Sequence, residues 1–275
     1  ALEQVLVSRL AGDTPALPRP VTRVESVLGP TSGWSALPDR PLPDVLIGPD
    51  DDATIFYTSG TTGHPKGAVG SHRSSALNAL TAPFSVARSY LRRGEALPAP
   101  DPTAPQKVTL LSIPFFHTTG FQAVLNTALY AGARLVLMRR WHVEQAMQLI
   151  ETERVTSAGG VPTIAWQLIE HPDRGRYDLS SLEHVSYGGA PASTELVRRI
   201  KEVFPKAAPG LGWGMTETTS TFTSHSGEEY VNRPESSGPA MPLCQMKILD
   251  EHGRELPAGE IGELVVYGPQ VVRAY

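Results

Sequence analysis

The stretch YTSGTTGHPKG, at residues 57–67, concentrates small polar residues in a pattern that could bind an anion. Its eleven residues include five hydroxyl side chains, three glycines and one lysine, directly after a predicted strand. Glycine lets the backbone approach a ligand closely, and successive exposed N–H groups form a nest for anions. The hydroxyls and the lysine add donors and positive charge. We therefore expect a polyphosphate site formed by Thr58, Ser59, Gly60, Thr61, Thr62, Gly63 and Lys66.

This stretch fits neither of two common nucleotide-binding patterns. The Walker pattern needs a glycine before the lysine and a hydroxyl after it, whereas Pro65 precedes Lys66 and Gly67 follows it. A dinucleotide fingerprint also fails, because Met215 occupies the third glycine position after the run GLGWG at 210–214. The sequence thus disfavours a P-loop ATPase or GTPase, and a polar surface turn remains the alternative interpretation.

The composition limits the classes of function. The chain has 275 residues, of which 40% are hydrophobic and 19% charged, enough for a buried core in one large or two modest domains. A net charge of -4 argues against a general nucleic-acid binder. The single cysteine, Cys244, excludes an intrachain disulfide and is typical of a reducing cytosol, so a cytoplasmic protein is expected. No apolar run is long enough for a transmembrane segment, and the first residues do not resemble a signal peptide.

Alternating strands and helices must position these residues. Short apolar runs predict strands at 53–58, 108–113, 134–138, 155–159 and 184–188. Amphipathic patterns predict helices at 72–93, 120–131, 143–153, 162–170 and 193–203. The alternation indicates an α/β fold with largely parallel sheets flanked by helices. Later, QMKILD and IGELVVYG predict the start of a small antiparallel β subdomain at the C-terminal end.

The segment TSGTTGHPKG resembles the phosphate-binding signature of the adenylate-forming superfamily, which includes acyl-CoA synthetases, luciferases and peptide-synthetase adenylation domains. Four later segments resemble motifs of the same family, in the family's order: PFFHTTGF, YGGAP, GWGMTET and GELVVYGPQVVRAY. The overall resemblance is to a CoA ligase of the fatty-acid type. With the composition, it divides the chain into a Pro-rich lead-in at 1–52, an α/β nucleotide- and acyl-binding core at 53–240, and the start of the β subdomain at 241–275.

The resemblance implies roles for individual residues around a nucleotide. Lys66 and Thr216 are expected to contact phosphate as catalytic residues, and Glu217 is expected to bind Mg²⁺ beside the phosphate oxygens. Trp213 offers a flat face for adenine. The remaining nucleotide-binding residues are expected to be Gly188, Gly189, Ala190, Pro191, Gly212, Gly214 and Met215. An ordinary exposed glutamate and a core tryptophan are the alternatives for Glu217 and Trp213.

The resemblance also places an acid-binding pocket around PFFHTTGF. In relatives this histidine, here His117, lies beside the reacting carboxylate, although a structural histidine is the alternative. The predicted substrate residues are His117, Thr118, Gly120, Phe121, Gly160 and Trp166. Packing in a helix core is an equal alternative for Trp166. Because PFFHTTGF lacks the Asp with which amino-acid-activating relatives hold an ammonium group, we expect a fatty, aryl or other plain carboxylic acid.

The implied reaction joins a small-molecule carboxylic acid to AMP, using ATP and Mg²⁺, and then transfers the acyl group to CoA. Two alternatives stay open: a non-catalytic nucleotide-binding module, and an adenylation domain that loads a carrier protein. Relatives continue with a ribose-binding aspartate and a mobile C-terminal domain that carries a catalytic lysine. We therefore expect a truncated, inactive or weakly active fragment of a longer ligase. No nucleic-acid partner is expected, and a homodimer is left open.

Overall fold

The computed structural model describes residues 5–8, 12–13, 16, 18, 20–41, 43–60, 63–99 and 101–275. Contacts divide the chain into two compact units, Ala1–Ile47 and Gly48–Tyr275. In the first unit, two short strands pair in parallel and precede two short helices. These elements are β1 (Val5–Val7), β2 (Val21–Arg23), α1 (Val24–Leu28) and a 3-10 helix (Thr31–Ala36). The domain boundaries at residues 52 and 240 stay a prediction.

The second unit opens with an antiparallel hairpin, in which β3 (Asp52–Thr58) pairs with β4 (Lys66–Ser71). The sequence predicted the first of these strands as part of the parallel sheet, and it did not predict the second. That assignment was wrong because the connection at 59–65 is too short for the crossover that parallel strands need. The predicted phosphate-binding stretch is therefore the turn of a hairpin.

The predicted helix at 72–93 is two helices, α2 (His72–Ala79) and α3 (Thr81–Arg92), separated at Leu80. The Ser71 side chain caps α2 by accepting a hydrogen bond from the Ser74 N–H at 3.2 Å. Such a cap satisfies a donor that has no partner in the first helical turn. The cap therefore fixes the start of α2 directly after Ser71, the last residue of β4.

The larger sheet confirms the α/β prediction. Its described strands lie in the order β10-β9-β8-β7-β5-β6, and all neighbouring pairs are parallel except β10 with β9. The strands are β5 (Val108–Leu111), β6 (Arg134–Leu137), β7 (Ser157–Gly160), β8 (His184–Gly188), β9 (Ala208–Met215) and β10 (Ser220–Ser226). The sequence analysis missed β9 and β10, and β9 contains the run GLGWG. Glycine is depleted in strands, so propensity gives no signal there.

Helices cover both faces of this sheet. They are a π-helix (Thr119–Asn126), α4 (Thr127–Tyr130), α5 (Val143–Glu153), α6 (Pro162–Glu170), α7 (Thr194–Val203), α8 (Glu228–Asn232) and 3-10 turns at Arg174–Arg176 and Thr216–Thr218. On one face, Ile150, Leu168 and Ile200 are fully buried in the main hydrophobic core. Complete burial of each such side chain contributes about 1.5–3 kcal/mol. This packing makes the sheet a rigid support for residues on its other face.

The predicted antiparallel β segment is present as β11 (Gln245–Leu249) paired with β12 (Glu263–Tyr267). After β11, the Asp250 carboxylate accepts backbone N–H bonds from His252 at 2.9 Å and Arg254 at 2.8 Å. These bonds, chiefly that from Arg254, hold the pKa of Asp250 below its usual value. Within the described ranges, no helix has both the length and the apolar character needed to cross a bilayer.

Candidate functional site

A cavity of about 600 Å³ lies on the face of the large sheet opposite the hydrophobic core. Strand alternation explains the two faces, because successive side chains point to opposite sides. In β8, Val185 and Tyr187 are buried in the core, whereas His184, Ser186 and Gly188 line the cavity. The π-helix and α3 also contribute to the wall. A volume of this size suits a small-molecule ligand.

Two described glycines of the turn at 59–65 have backbone conformations that other residues rarely adopt. Thr58 and Lys66 are paired across the hairpin at its base. Gly60 has a φ of +65°, and a Cβ there would lie 2.4 Å from the His64 carbonyl oxygen. Gly63 also has a positive φ, +84°. Glycine is therefore required to form this turn at Gly60, while the predicted residues Thr61 and Thr62 lie outside the described residues.

Lys66 stands on the first position of β4 and is exposed. Strand pairing thus fixes its backbone, and only its side chain is free to reach a ligand. The sequence placed this lysine in the loop itself, so its position on a strand corrects that assignment. A cation on a fixed backbone loses less conformational freedom on binding than one on a mobile loop.

Tyr275 brings the predicted phosphate lysine and the predicted metal carboxylate together. Its hydroxyl donates to Glu217 Oε1 at 2.7 Å, and Lys66 Nζ lies 5.4 Å from the centre of its ring. The hydrogen bond to Glu217 raises the pKa of the Tyr275 hydroxyl. The sequence analysis did not single out Tyr275, and its one signal was membership of the segment GELVVYGPQVVRAY.

Backbone pairing holds the Tyr275 segment in place. Val272 N–H donates to the Glu217 carbonyl oxygen at 2.9 Å, and Arg273 N–H donates to the Val69 carbonyl oxygen at 2.9 Å. Val69 N–H donates in turn to the Ala274 carbonyl oxygen at 2.9 Å. The segment therefore bridges β4 and the turn that carries Glu217.

Glu217 lies in the 3-10 turn after β9, where the chain is tightly constrained. The buried Thr218 hydroxyl accepts a hydrogen bond from the Met215 N–H at 2.9 Å. Thr216 and Glu217 are half-buried and line the cavity. One Glu217 oxygen is already hydrogen-bonded, which orients the other oxygen of the carboxylate.

The donors around Glu217 fit a hard cation that keeps most of its ligands from phosphate and water. Magnesium is commonly bound by one or two carboxylates beside a nucleotide. Within the described part of the chain, no group of three or more His, Cys, Asp or Glu side chains converges to form a protein cage for a metal. A single carboxylate at Glu217, joined through Tyr275 to the lysine that follows the predicted phosphate-binding turn, is the arrangement expected if a nucleotide supplies the remaining ligands of Mg²⁺.

Glycines allow β9 to approach both of its neighbours, β8 and β10, closely. A Cβ at Gly188 would lie 2.5 Å from the Gly212 carbonyl oxygen, and one at Gly214 would lie 1.5 Å from the Ser220 carbonyl oxygen. Gly188, Gly189, Gly212 and Gly214 all line the cavity. Ala190 and Pro191 lie in the exposed turn before α7 and are not part of the wall. The predicted adenine-side residues are thus only partly brought together.

Trp213 and Met215 also line the cavity, and Trp213 is half-buried. The Trp213 ring meets Phe222 edge-on, with 6.3 Å between ring centres. This contact fixes the indole while part of its surface stays accessible for stacking. The tryptophan therefore combines partial core packing with exposure at the wall.

We predict that Trp213→Ala weakens AMP binding by roughly 5- to 150-fold, because stacking on a base is worth about 1–3 kcal/mol. Trp213→Phe should retain most of the affinity, since it keeps an aromatic face. Calorimetric titration with AMP measures both. An unchanged dissociation constant in the alanine variant would show that adenine does not stack here.

His117 is exposed at the mouth of the cavity, before the π-helix. Its Nδ1 accepts a hydrogen bond from the Thr119 N–H at 3.1 Å. The neutral imidazole therefore carries its proton on Nε2. A Cβ at Gly120 would lie 2.4 Å from the Pro114 carbonyl oxygen, so glycine is needed to bring the π-helix against this segment.

The other predicted acid-binding residues separate into two groups. Thr118 and Gly160 line the cavity, and Gly160 has a φ of +149° with Ile164 Cδ1 only 2.7 Å from where its Cβ would be. Phe121 instead packs against Phe56 of β3, with 5.8 Å between ring centres. Trp166 packs against the hydrophobic core and does not line the cavity. The expectation that Trp166 limits the pocket is therefore corrected, because α6 turns this side chain to the opposite face of the sheet.

Comparison with known families accounts for this arrangement. Residues 3–275 match the family described as AMP-binding enzyme. The chain belongs to the AMP-binding enzyme family. Among curated relatives of this AMP-binding chain, 4-coumarate-CoA ligase 1 of Narcissus pseudonarcissus is 34% identical over 238 residues, 85% of this chain and 42% of that protein. The 4-coumarate--CoA ligase of Pinus taeda is 33% identical over 85% of this chain and 42% of its own length.

Solved structures of CoA ligases and synthetases are similar to this chain. The AMP-binding chain is similar to a long-chain-fatty-acid-CoA ligase from Archaeoglobus fulgidus, with a TM-score of 0.75, 26% identity, and coverage of 93% of this chain and 50% of that one. It is also similar to o-succinylbenzoate CoA synthetase from Bacillus subtilis in complex with ATP and magnesium, with a TM-score of 0.71, 25% identity, and coverage of 94% and 48%. The chain thus spans less than half the length of the curated relatives it matches.

Proposed function

We propose that this chain supplies the nucleotide- and acid-binding site of an AMP-forming acyl-CoA ligase. The observation that carries the proposal is the grouping of Lys66 and Glu217 around Tyr275, at the base of the hairpin formed by β3 and β4. Membership of the AMP-binding enzyme family supports it. The chain spans 42% of the length of the ligase from Narcissus pseudonarcissus. The activity of a complete ligase is therefore also a proposal.

In the first half-reaction, a carboxylate oxygen of the acid attacks the α-phosphorus of ATP. The bond from that phosphorus to the bridging oxygen breaks, and pyrophosphate leaves with the electron pair. Both reactants are anionic, so stabilisation of negative charge matters more than a strong base. Lys66 and the turn N–H groups would bind the phosphates, and Thr216 would position the α-phosphate. Glu217 would hold Mg²⁺, which supplies positive charge to the phosphate oxygens when bound.

In the second half-reaction, the thiol sulfur of CoA attacks the acyl carbon, the thiol proton is released to solvent, and AMP leaves. His117 lies at the cavity mouth, where the acyl carboxylate would meet the nucleotide. Its Nε2 proton can donate to an oxygen of that group. The proposed catalytic residues are Lys66, His117, Thr216 and Glu217.

For the acid, we propose a fatty or aryl carboxylate. The segment PFFHTTGF contains no carboxylate for an amino acid's ammonium group. The 4-coumarate ligases support an aryl acid, and the long-chain ligase structure supports a fatty acid and a role in fatty acid metabolism. A cytoplasmic location and homodimer formation stay proposals of the sequence analysis.

Two measurements on purified protein test the proposal. Calorimetry should show binding of AMP to this chain, and exchange of labelled pyrophosphate into ATP should depend on added fatty or aryl acids, with amino acids inactive. A chain that binds no AMP would contradict the proposal. Nucleotide binding without acid-dependent exchange in a form as long as the relatives would favour a non-catalytic module, and an acyl product on a carrier protein but not on CoA would favour a loading domain.

A further inference from the structure

Three polar side chains form a row across the inner part of the cavity. Thr109, Ser157 and His184 belong to adjacent strands, and strand register pairs Thr109 with Ser157 and Ser157 with His184. All three line the cavity and are half-buried. We refer to Thr109, Ser157 and His184 as the inner polar row. Neighbouring strands lie about 4.8 Å apart, so a small group placed over Ser157, the middle member, lies one strand spacing from each of the two outer side chains.

The inner polar row has hydrogen-bonding capacity that the described residues leave unused. No side-chain hydrogen bond joins Thr109, Ser157 or His184 to another described residue. Burial holds the pKa of His184 below its usual value, the nearby Lys107 lowers it further, and Glu183 opposes both. A neutral imidazole offers one donor and one acceptor. Lys107 and Glu183 also line the cavity. They form a salt bridge with 2.7 Å between Lys107 Nζ and Glu183 Oε2, so together they carry no net charge.

We propose that the inner polar row is a recognition site for an uncharged hydrogen-bonding group, a hydroxyl or oxo group, at the far end of the acid's tail. The proposal rests on the proposed function and names its substrate class. Gly188 lies four positions after His184 on β8, so the row lies about 13 Å from the nucleotide end of this strand. Between the inner polar row and Gly188, the cavity is lined by the small residues Gly159, Ser186 and Gly210, which leave room for the tail of an acid.

Acyl-adenylate analogues test the inner polar row on this chain. Decanoyl and ω-hydroxydecanoyl sulfamoyl adenosine differ only by the terminal hydroxyl, and calorimetry gives the dissociation constant of each. The hydroxylated analogue should bind about tenfold more tightly, as one additional satisfied hydrogen bond predicts. In the double variant Ser157→Ala/His184→Leu, the two affinities should agree within about twofold, while the preference should persist in the surface control His252→Leu.

The outcomes separate the two proposals. Binding of AMP together with equal affinities of the two analogues for the unmodified chain overturns the inner polar row alone. A preference that survives in Ser157→Ala/His184→Leu also overturns it, and if that variant fails to fold, Thr109→Val with Ser157→Ala takes its place. Absence of binding by AMP and by both analogues overturns the proposed function and the row with it.

Discussion

Glu217→Gln is expected to lower the affinity of this chain for ATP in the presence of Mg²⁺ by roughly ten- to a hundredfold. Glutamine keeps the length of the side chain and an oxygen that can accept from the Tyr275 hydroxyl, so the turn should stay intact. The change removes only the negative charge that a cation requires. Interactions with charged groups are worth about 1.5–3 kcal/mol, which corresponds to this range of affinities.

The measurement is a titration with ATP at saturating Mg²⁺, repeated with a chelator. The loss in Glu217→Gln should be confined to the magnesium condition, and metal-free AMP binding should change little. Glu260→Gln, at an exposed position in the second unit, provides a matched control for the loss of one negative charge. Equal metal dependence in Glu217→Gln and in the unmodified chain would refute Glu217 as the magnesium ligand.

Where the protein is active, Glu217→Gln should also slow adenylation by about 10²- to 10³-fold. That magnitude is typical of removing one group that stabilises developing charge in a transition state. The same variant therefore has two readouts, one on binding and one on rate.

Gly159→Ala is expected to destabilise the fold by at least about 3 kcal/mol or to prevent folding. Its Cβ would lie 1.8 Å from the Ser186 carbonyl oxygen, which belongs to the paired strand β8. Overpacking typically costs about 1–3 kcal/mol and occasionally more, and the upper end is expected here because the neighbour is backbone, which cannot move aside as a flexible side chain could. Urea denaturation followed by circular dichroism measures the effect as a shift in the midpoint.

Gly175→Ala provides the matched control for this substitution. Gly175 has no heavy atom within 4 Å of its would-be Cβ, so the free energy of unfolding should change by less than about 0.5 kcal/mol. A denaturation midpoint for Gly159→Ala equal to that of the control would disprove the close approach of β7 and β8. Because Ser186 and Gly188 lie on β8, a folded Gly159→Ala protein should also bind AMP more weakly.

The α/β fold could be predicted from sequence because its parallel strands are short apolar runs between amphipathic helices. β9 could not, since its glycines have low strand propensity and are required by tertiary contacts such as that of Gly214 with Ser220. Hydrophobic periodicity alone also could not separate the hairpin strand β3 from the parallel strands, because pairing direction depends on the length of the connection.

Local motifs predicted parts of the candidate site, and long-range contacts determined the rest. The predicted phosphate-binding turn could be located from its glycines, hydroxyls and lysine, and the need for glycine at Gly60 follows from the turn it forms. Tyr275 was missed because its bond to Glu217 joins positions 58 residues apart. Trp166 was left undecided because a helical pattern does not reveal which neighbour its face will meet. The inner polar row appears only when strand register is known, since its three members come from three separate strands.

The π-helix bears on how the lining of the cavity can diverge among descendants of one gene. Each backbone hydrogen bond in such a helix spans one more residue than in an α-helix. Loss of one codon within Thr119–Asn126 would restore α-helical spacing and rotate the preceding residues by about 100° relative to α4. His117 and Thr118 would then face another part of the wall while the sheet stayed the same. A single insertion or deletion here can therefore reshape the pocket in one genetic step, whereas substitutions must act one side chain at a time.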